Sequence, residues 1–407
     1  MDTLNLHNKH ILVTGGTGFI GGRLVEELVT RHGAHVRVLV RNFAHAARIA
    51  RFPIEMIPGN VVEPADVSRA MQGCEIVFHC AYGTMGDAAA QRRVNVEGTR
   101  NVLDAALAAN ASRVVSLSTL SVYGDLPDGL LDETAPRRRS KDVYADSKLE
   151  AENLALDYAK HRGLPVIVLQ PTMVYGPFAP SWTIRILNDL HTHRVILING
   201  GAGHCHPLYI DDLVHAMLRA AVTGQGLGEH YLISGENPVT WQEFYARYEA
   251  MLGFNSTISL TADEALAHYR GTFRRKPLLR TTLNLLRGDR QLRWQIEATR
   301  EVNALLRLTR ALLPQKSRRT LKTGLSLKDT PGQQAAASTL ASSAPPRPIL
   351  PLDPAGIALA RSKTTVSIEK ARRLLSYQPQ IDFAAGADRT ERWARWANLP
   401  GSGDAAP

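Results

Sequence analysis

A glycine-rich stretch close to the N-terminus constrains the fold of this chain more than any other feature. The apolar run 11–13 is followed by glycines and then by apolar residues at helical spacing. Gly16, Gly18 and Gly21 fit the pattern G-x-G-x-x-G, and Gly15, Gly18 and Gly21 fit the variant G-x-x-G-x-x-G. Such glycines allow a tight turn and a close approach of the backbone to a pyrophosphate, which then meets the positive end of the following helix. A strand, a glycine turn and a helix in this order predict a dinucleotide-binding site.

The residue after the second predicted strand bears on which dinucleotide binds. Arg41 follows the strand 36–40 and lies twenty residues after Gly21, and no acidic residue is close to it. An acidic residue in this region holds the ribose 2′-hydroxyl of NAD, whereas an Arg accommodates the 2′-phosphate of NADP. The sequence therefore favours NADP as the cofactor, while NAD stays open if Arg41 only stacks on the adenine.

Apolar strands and helical patterns alternate along the first half of the chain. This alternation predicts an α/β fold with a Rossmann-type, doubly wound parallel sheet, whose ligands bind beyond the carboxyl ends of the strands. Thr240 and Glu243 stand at capping-box spacing and predict the start of a later helix. Further strands are predicted at 54–57, 76–81, 113–118, 166–169 and 231–233, and helices at 64–71, 184–190 and 213–221.

Two short segments carry groups suited to acid–base chemistry. Tyr144 and Lys148 are four residues apart, which places a phenol and an ammonium on one face of a helix. A Tyr has a pKa of about 10 in water, and a neighbouring cation favours its phenolate. Thr119 follows the strand 113–118 and can donate a hydrogen bond to the same substrate oxygen, so the three residues predict proton exchange during hydride transfer at a C–O bond. His79 lies in an apolar strand and is interpreted as a core histidine.

Several motifs recur at the spacing of one known family. They are Thr14–Gly21 (TGGTGFIG), Asn95–Thr99 (NVEGT), Ser118–Gly124 (STLSVYG), Tyr144–Lys148 (YADSK), Pro171–Pro177 (PTMVYGP), Tyr209–Leu213 (YIDDL) and Lys370–Pro379 (KARRLLSYQP). With these motifs, residues 8–250 and 355–398 resemble the extended short-chain dehydrogenase/reductase family, also called the NAD-dependent epimerase/dehydratase family. The resemblance implies that Tyr144 is the catalytic acid/base, Lys148 the ribose ligand and Tyr activator, and Thr119 the hydrogen-bond partner of the substrate.

The expected cofactor site combines the glycine stretch, several strand ends and the catalytic helix. The resemblance places Pro171 and Thr172 beside the nicotinamide. No metal site is predicted, because the three cysteines are scattered and His204 and His206 lack a third ligand. The residues predicted to bind the cofactor are Gly15, Thr17, Gly18, Phe19, Ile20, Gly21, Arg41, Asn60, Val61, Cys80, Ala81, Asn95, Ser118, Tyr144, Lys148, Pro171 and Thr172.

The chain departs from the sugar-nucleotide members of that family close to the expected substrate. The stretch 170–173 (QPTM) replaces the usual Arg-Pro-x-Asn, and 205–208 (CHPL) stands where an Arg usually grips the diphosphate. Met173 and Leu208 instead suggest an apolar substrate, as in the 3β-hydroxysteroid dehydrogenase-like and dihydroflavonol reductase-like branches. The pair that follows Thr119 is Leu-Ser and not the Asp-Glu of the dehydratases, which disfavours elimination of water.

The positive charge of the chain is concentrated in one segment. The net charge is +10, and fifteen Lys and Arg but only three Asp and Glu lie between Arg270 and Lys322. The remainder is close to neutral, so binding to nucleic acid is not expected. Within this segment, 290–313 has the pattern of a basic amphipathic helix. A lid helix packed on the substrate lobe is the favoured interpretation, and contact of 280–322 with an anionic membrane surface is the alternative.

The sequence predicts an NAD(P)-binding domain followed by a smaller substrate-binding lobe. Because the first strand begins so early, no signal peptide is expected, and a cytoplasmic location is predicted. The predicted parts are a Rossmann domain at 8–180 with its sheet completed within 205–235, a C-terminal lobe formed by 181–253 and 352–398, a basic helical insertion at 254–323, a flexible linker at 324–351 and a tail at 399–407.

These features predict an NAD(P)-dependent oxidoreductase of the epimerase/dehydratase type. Its substrate is expected to be a small, fairly apolar molecule with a secondary alcohol or ketone, and a homodimer is a further expectation. One alternative is a sugar-nucleotide 4-epimerase that keeps NAD tightly bound. The other is a non-catalytic protein that senses a nucleotide or serves as a scaffold.

Overall fold

The computed structural model describes residues 4–84, 86–274 and 347–399. The chain divides into two compact units, residues 1–266 with 347–407 and residues 267–346. Of the second unit, the described residues are 267–274, which form the end of a helix. The elements that build the candidate site belong to the first unit.

The described residues form strands and helices that alternate along the first half of the chain. The strands are β1 (His10–Thr14), β2 (His35–Val40), β3 (Glu55–Pro58), β4 (Ile76–His79), β5 (Arg113–Leu117), β6 (Gly129–Leu131), β7 (Val166–Pro171), β8 (Met173–Tyr175), β9 (Val195–Ile198), β10 (His204–Cys205), β11 (Pro207–Tyr209), β12 (Glu229–Ile233), β13 (Val239–Thr240), β14 (Thr257–Leu260) and β15 (Thr364–Val366). The helices are α1 (Phe19–Thr30), α2 (Pro64–Met71), α3 (Ala88–Arg92), α4 (Gly98–Ala108), α5 (Val143–Arg162), α6 (Arg185–Thr192), α7 (Ile210–Val222), α8 (Trp241–Leu252), α9 (Ala262–Arg274), α10 (Pro354–Arg361), α11 (Glu369–Leu375) and α12 (Phe383–Trp396).

Seven of these strands form one parallel sheet in the order β3-β2-β1-β4-β5-β7-β12. The order reverses between β1 and β4, and a crevice opens there at the carboxyl ends of the strands. Strands β4, β5 and β7 are buried along their whole length, as a parallel sheet covered on both faces requires. The predicted α/β fold with a doubly wound parallel sheet is therefore confirmed.

Helices cover both faces of this sheet. Ile11 and Val13 point into a core shared with α1 and α7, whereas Leu12 points into a second core shared with α2, α4 and α5. This alternation follows from the two-residue period of a strand. The sheet therefore holds both ends of the glycine turn rigidly, since β1 is buried on one side of the turn and α1 on the other.

The chain after β7 contributes a smaller core next to the sheet. Side chains of α6, α8 and α12 meet there around Trp241, Phe244 and Tyr248. At the start of α8 the Thr240 hydroxyl accepts a hydrogen bond from the Glu243 N–H, and the Glu243 carboxylate accepts one from the Thr240 N–H, which completes the predicted capping box.

Two predicted boundaries differ from the structure. The insertion was expected from residue 254, yet β14 pairs in parallel with β9 and belongs to the folded body. The linker was expected to run to residue 351, yet Ile349 bridges to Arg194 and the Leu350 N–H donates to the Arg194 carbonyl. In both places backbone pairing with β9 or its neighbour outweighs a local composition that is typical of an insertion or linker.

The rest of the predicted insertion and linker cannot be compared with the structure. Residues 275–346, which include the proposed membrane-contact segment 280–322, lie outside the described residues, as do residues 400–407. Among the helices that are described, none combines the length and the apolar character needed to cross a bilayer.

Candidate active site

The glycine turn between β1 and α1 forms the floor of a crevice. Gly15 has a φ of +70°, and a Cβ atom there would stand 2.6 Å from the Ala81 amide nitrogen. A Cβ on Gly21 would clash with the Gly15 carbonyl oxygen. Gly18 caps α1 without a side-chain hydrogen bond, so the first N–H groups of the helix stay available to an anionic ligand. The turn thus has the shape and polarity of a pyrophosphate cradle.

A cavity of about 300 Å³ lies above this turn. Most of the residues predicted to bind the cofactor meet around it, and they come from the ends of β1, β2, β3 and β4. The predicted residues that line it are Gly15, Thr17, Gly18, Phe19, Ile20, Gly21, Arg41, Asn60, Val61, Cys80 and Ala81.

Five further lining residues were not predicted. Leu39, Gly59 and Tyr82 directly adjoin segments that were singled out, so the strand ends could have indicated them. Val94 and Pro180 come from distant segments. Val94 directly precedes the predicted residue Asn95, which could have indicated it, whereas nothing in the local sequence of Pro180 indicates that it reaches this cavity.

Arg41 lies at the exposed edge of the cavity. Within the described residues its guanidinium makes no hydrogen bond and no ion pair, in contrast to Arg37 on the preceding strand β2, which is paired with Glu55. An arginine without a protein partner at this place is available to a phosphate of a ligand.

The catalytic residues that were predicted stand together at the ends of β5 and α5. Lys148 is buried, and its Nζ donates to the Leu117 carbonyl oxygen at 2.5 Å. Thr119 follows β5 by two residues and caps the short turn Leu120–Tyr123, and a hydrogen-bonding interaction of its side chain acts on the pKa of Tyr144. Tyr82 packs edge-on against Tyr144 with ring centroids 6.2 Å apart, and thereby joins this group to the cavity.

Burial controls the protonation of both catalytic side chains. Burial raises the pKa of Tyr144 to about 12, with a further upward contribution from Tyr82, and the hydrogen bond with Thr119 only partly opposes it. Burial lowers the pKa of Lys148 to about 8, against the opposing charge of Glu152. Near neutral pH the protein alone therefore holds Tyr144 as a phenol and Lys148 as a cation. The phenolate that the sequence suggested is not favoured in this state.

His79 has no free ring nitrogen. Its Nδ1 is hydrogen-bonded to the Thr14 hydroxyl at 2.8 Å and its Nε2 to the Thr99 hydroxyl at 2.9 Å. Burial, aided by the charge of Lys148, lowers its pKa to about 3, so the ring is neutral. These contacts agree with a core histidine that ties β1 to β4 and α4 and takes no part in proton transfer.

Asn95 supports the site from below. Its side-chain oxygen accepts from the Gly83 N–H, and its amide donates to the Gly83 carbonyl and to the Ser147 hydroxyl. Ser147 in turn donates to the Tyr144 carbonyl. With both amide N–H groups used in this way, Asn95 holds the loop after β4 against α5, which favours a supporting role over direct contact with a cofactor.

The remaining predicted residues lie at the carboxyl edge of the sheet. The Ser118 hydroxyl is buried and has no hydrogen-bond partner within the described residues. Pro171 ends β7, and the Thr172 hydroxyl donates to Ser234. Two features fit a dinucleotide that spans from the cavity to Tyr144. One is the buried Ser118 hydroxyl, which has no partner within the described residues, and the other is the glycine turn, which has no room for a Cβ atom at Gly15 or Gly21.

Met173 and Leu208 do not face the site. Met173 is packed in the small core around α8, and Leu208 is fully buried in the core beneath the sheet. The prediction that these two residues make the substrate pocket apolar is therefore wrong. Both side chains are used for packing, because β8 and β11 pair with each other between the two cores. Two exposed apolar residues lie next to Tyr144: Tyr82, which packs on its ring and is 53% exposed, and Val143, which precedes it on α5 and is 39% exposed.

Comparison with known protein sequences gives related enzymes of several names. The chain is 30% identical over 257 residues to the 2-alkyl-3-oxoalkanoate reductase of Shewanella oneidensis, covering 59% of this chain and 65% of that protein. It is 31% identical over 263 residues to a 4-hydroxy-2-methyl-3-oxo-4-farnesyl-3,4-dihydroquinoline-1-oxide ketoreductase of Stigmatella aurantiaca, covering 63% and 78%. It is 32% identical over 254 residues to a putative dihydroflavonol 4-reductase of Synechocystis, covering 59% and 72%. The chain thus spans less than two thirds of the first of these relatives.

Solved structures share the fold. The UDP-glucuronic acid 4-epimerase of Bacillus cereus, in complex with NAD, superposes with a TM-score of 0.64 at 18% identity, covering 98% of this chain and 99% of that one. A dTDP-glucose 4,6-dehydratase of Streptomyces venezuelae, with NAD bound, gives 0.63 at 22% identity, covering 95% and 97%. A sequence model described as the NAD dependent epimerase/dehydratase family matches residues 11–234. This chain belongs to the NAD-dependent epimerase/dehydratase family.

Proposed function

We propose that this chain is an NAD(P)-dependent oxidoreductase that acts at a secondary alcohol or ketone of a small substrate. The observation that carries the proposal is the group formed by Thr119, Tyr144 and Lys148, which Tyr82 joins to the cavity above the glycine turn. A substrate oxygen between the hydroxyls of Thr119 and Tyr144 would accept hydrogen bonds from both, which polarises its C–O bond.

Different residues of the chain bind the cofactor and act on the substrate oxygen. Bound NAD(P) supplies or accepts the hydride. The glycine turn and the N–H groups of α1 hold the pyrophosphate, and the buried Lys148 ammonium holds a ribose hydroxyl. Tyr144 gives a proton to the substrate oxygen or takes one from it, and Thr119 fixes the position of that oxygen.

The protonation of Tyr144 favours ketone reduction at neutral pH. A phenol whose pKa is raised to about 12 carries its proton and can donate it to a carbonyl oxygen. Alcohol oxidation needs the phenolate, so the oxidation rate should rise with pH whereas the reduction rate should not. The free guanidinium of Arg41 favours NADPH over NADH as the reductant.

A ketone on an apolar skeleton is the substrate class that fits best. Tyr82 and Val143 offer exposed apolar surface beside Tyr144. The sugar-nucleotide enzymes of this family usually carry an Arg in the stretch that corresponds to 205–208. In this chain the stretch has no Arg, and the Cys205 side chain is buried in the lobe core, so it offers no guanidinium to a diphosphate. Two relatives are named for reducing oxo compounds with alkyl or farnesyl substituents, which points in the same direction.

The test is consumption of NADPH or NADH with a panel of alkyl and cyclic ketones, compared with UDP-glucose as a sugar nucleotide. Replacing Tyr144 with Phe should lower turnover about 100- to 10,000-fold, since the proton donor is lost. Tyr158→Phe is the matched control: Tyr158 lies on the same helix, and its hydroxyl donates to Asp104 outside the site.

Other outcomes would support the alternatives. A 4-epimerase would carry tightly bound NAD after purification and would convert UDP-glucose with no net change in nicotinamide absorbance. Unchanged turnover in the Tyr144→Phe protein would remove Tyr144 from its proposed role. Dinucleotide binding without turnover of any ketone, alcohol or sugar nucleotide would favour a nucleotide sensor.

A further inference from the structure

Glu152 is a buried carboxylate that the proposed chemistry does not use. It follows Lys148 by four residues and Tyr144 by eight, so the three side chains lie along one face of α5. Its side chain is completely buried. Because a buried charge is costly unless it is paired, a carboxylate at this position requires an explanation.

Only one of the two oxygens of the Glu152 carboxylate accepts hydrogen bonds from other side chains in the described residues. Oε1 accepts from the Gln170 amide at 2.8 Å and from the Arg137 guanidinium. Oε2 is buried and has no hydrogen-bond partner within the described residues. His230 lies nearby from β12, but burial lowers its pKa, so it adds no positive charge near neutral pH. The carboxylate therefore has more acceptor capacity than Arg137 and Gln170 consume.

Among the residues that the structure describes, the other groups that act on Lys148 or adjoin it carry no negative charge near neutral pH. His79 is neutral, and burial raises the pKa of the Cys80 thiol to about 12, so it stays protonated. Tyr144 is a phenol near neutral pH. Of the described groups that act on the charge of Lys148, Glu152 is thus the one that bears a carboxyl group.

We propose that Glu152 is a positioning residue that keeps Lys148 protonated in its buried site. Glu152 follows Lys148 by one turn of α5, and its charge compensates for the water that burial removes. Lys148 then retains N–H groups beyond the one given to Leu117 for a ribose hydroxyl of the dinucleotide. The inference rests on the proposed function, because the ribose is the ligand that Lys148 is expected to hold.

The inference predicts a pH-dependent affinity for the cofactor. Lys148 is an ammonium below its pKa of about 8, so NADPH affinity should fall as pH rises through that value. Removal of the neighbouring negative charge lowers the pKa of a Lys, so the midpoint of this fall should move to lower pH. The readout is the dissociation constant of NADPH, measured by nicotinamide fluorescence across pH, and it needs no substrate. Lys148→Met should abolish the transition and so assign it.

Two substitutions of Glu152 separate charge from shape. Glu152→Gln keeps the length and loses the charge, and it should lower the midpoint by roughly one pH unit. Glu152→Asp keeps the charge but shortens the side chain away from Gln170, and it should keep the midpoint within about 0.3 pH units of the wild type. Glu133→Gln is the matched control, because Glu133 accepts from the Leu232 N–H and does not act on Lys148.

If Glu152 had only a structural role, Glu152→Asp would have a larger effect than Glu152→Gln. A midpoint that moves as far with Asp as with Gln would therefore overturn the proposal. An unmoved midpoint in Glu152→Gln would do the same. If thermal unfolding shows that Glu152→Gln does not fold, Glu152→Asp alone decides, since a midpoint lowered by a full unit there contradicts the inference. Failure of the wild type to bind NADPH or NADH would instead contradict the proposed function.

Discussion

The two ends of the candidate site are built in different ways. The end that we propose for the adenosine is an open crevice made of backbone N–H groups, glycines and the guanidinium of Arg41, which has no partner among the described residues. The reacting end is buried, and side chains from α5, β4, β5 and β7 hold one another there through hydrogen bonds and charges. At the first end the shape of the backbone selects the ligand. At the second end burial sets the protonation of Tyr144 and Lys148.

This difference implies that the two ends should fail in different ways when altered. Changes at the open end remove contacts that a bound dinucleotide makes equally before and during the reaction, so they should weaken binding. Changes at the buried end remove groups that act on the developing charge, so they should slow turnover. Each prediction below tests that division.

After Tyr144→Phe, the largest effect is expected from Lys148→Met. The substitution keeps the bulk of the side chain but removes the cation that favours proton exchange by Tyr144. We expect kcat to fall about 100- to 1,000-fold while the dissociation constant of NADPH at neutral pH changes less than about 10-fold. Steady-state kinetics and fluorescence titration measure the two quantities, and Lys160→Met, an exposed position on the same helix, serves as the control. An equal loss of rate and affinity would contradict the division between the two ends.

Gly15→Ala should give the reverse pattern. Its Cβ would meet the backbone of Ala81 at a residue with a φ of +70°, so the turn must shift away from the pyrophosphate. We expect the dissociation constants of NADPH and NADH to rise together by about 10- to 100-fold, with kcat at saturation nearly unchanged. Gly73→Ala is a close control, because Gly73 has a φ of +73° but open space around it. The Gly73→Ala variant should be less stable than the wild type but should bind NADPH and NADH with unchanged affinity.

The same contrast explains how much of the molecule the sequence predicts. The parallel sheet and the glycine turn depend on periodicity and on residues without side chains, and both are confirmed. Eleven predicted residues line the cavity because each stands just after a strand, in the glycine turn or in the first turn of α1, where chain direction alone decides placement. Local sequence suffices at the open end.

At the buried end local sequence is not sufficient. Met173 and Leu208 have the composition of an apolar pocket, yet pairing between β8 and β11 turns them into two separate cores. The pair Tyr144 and Lys148 could be identified from spacing, but the raised pKa of the phenol depends on desolvation, which spacing does not encode. Glu152 could not be distinguished from any other helical glutamate before its burial was known.

Arg41→Gln should have a smaller effect that is confined to one cofactor. Since Arg41 has no protein partner within the described residues, its loss should leave the fold and the NADH affinity almost unchanged. NADPH should bind about 10-fold more weakly, because one charge-assisted contact with the 2′-phosphate is lost. Parallel titrations with both dinucleotides test this. A wild type that prefers NADH, or a variant that weakens both equally, would remove the role of Arg41 in selecting NADP.

The smallest effect is expected at Tyr82, where the two ends meet. Its ring lines the cavity and also packs edge-on against Tyr144, so it contributes to both binding and positioning. An aromatic pair of this kind contributes about 0.5–1.5 kcal/mol, so Tyr82→Ala should change kcat/KM for a ketone about 2- to 10-fold. Tyr82→Phe keeps the ring and should match the wild type. If Tyr82→Phe alone lost activity to the extent of Tyr144→Phe, the hydroxyl of Tyr82 would take part in proton transfer, and the reacting end would extend into the open cavity.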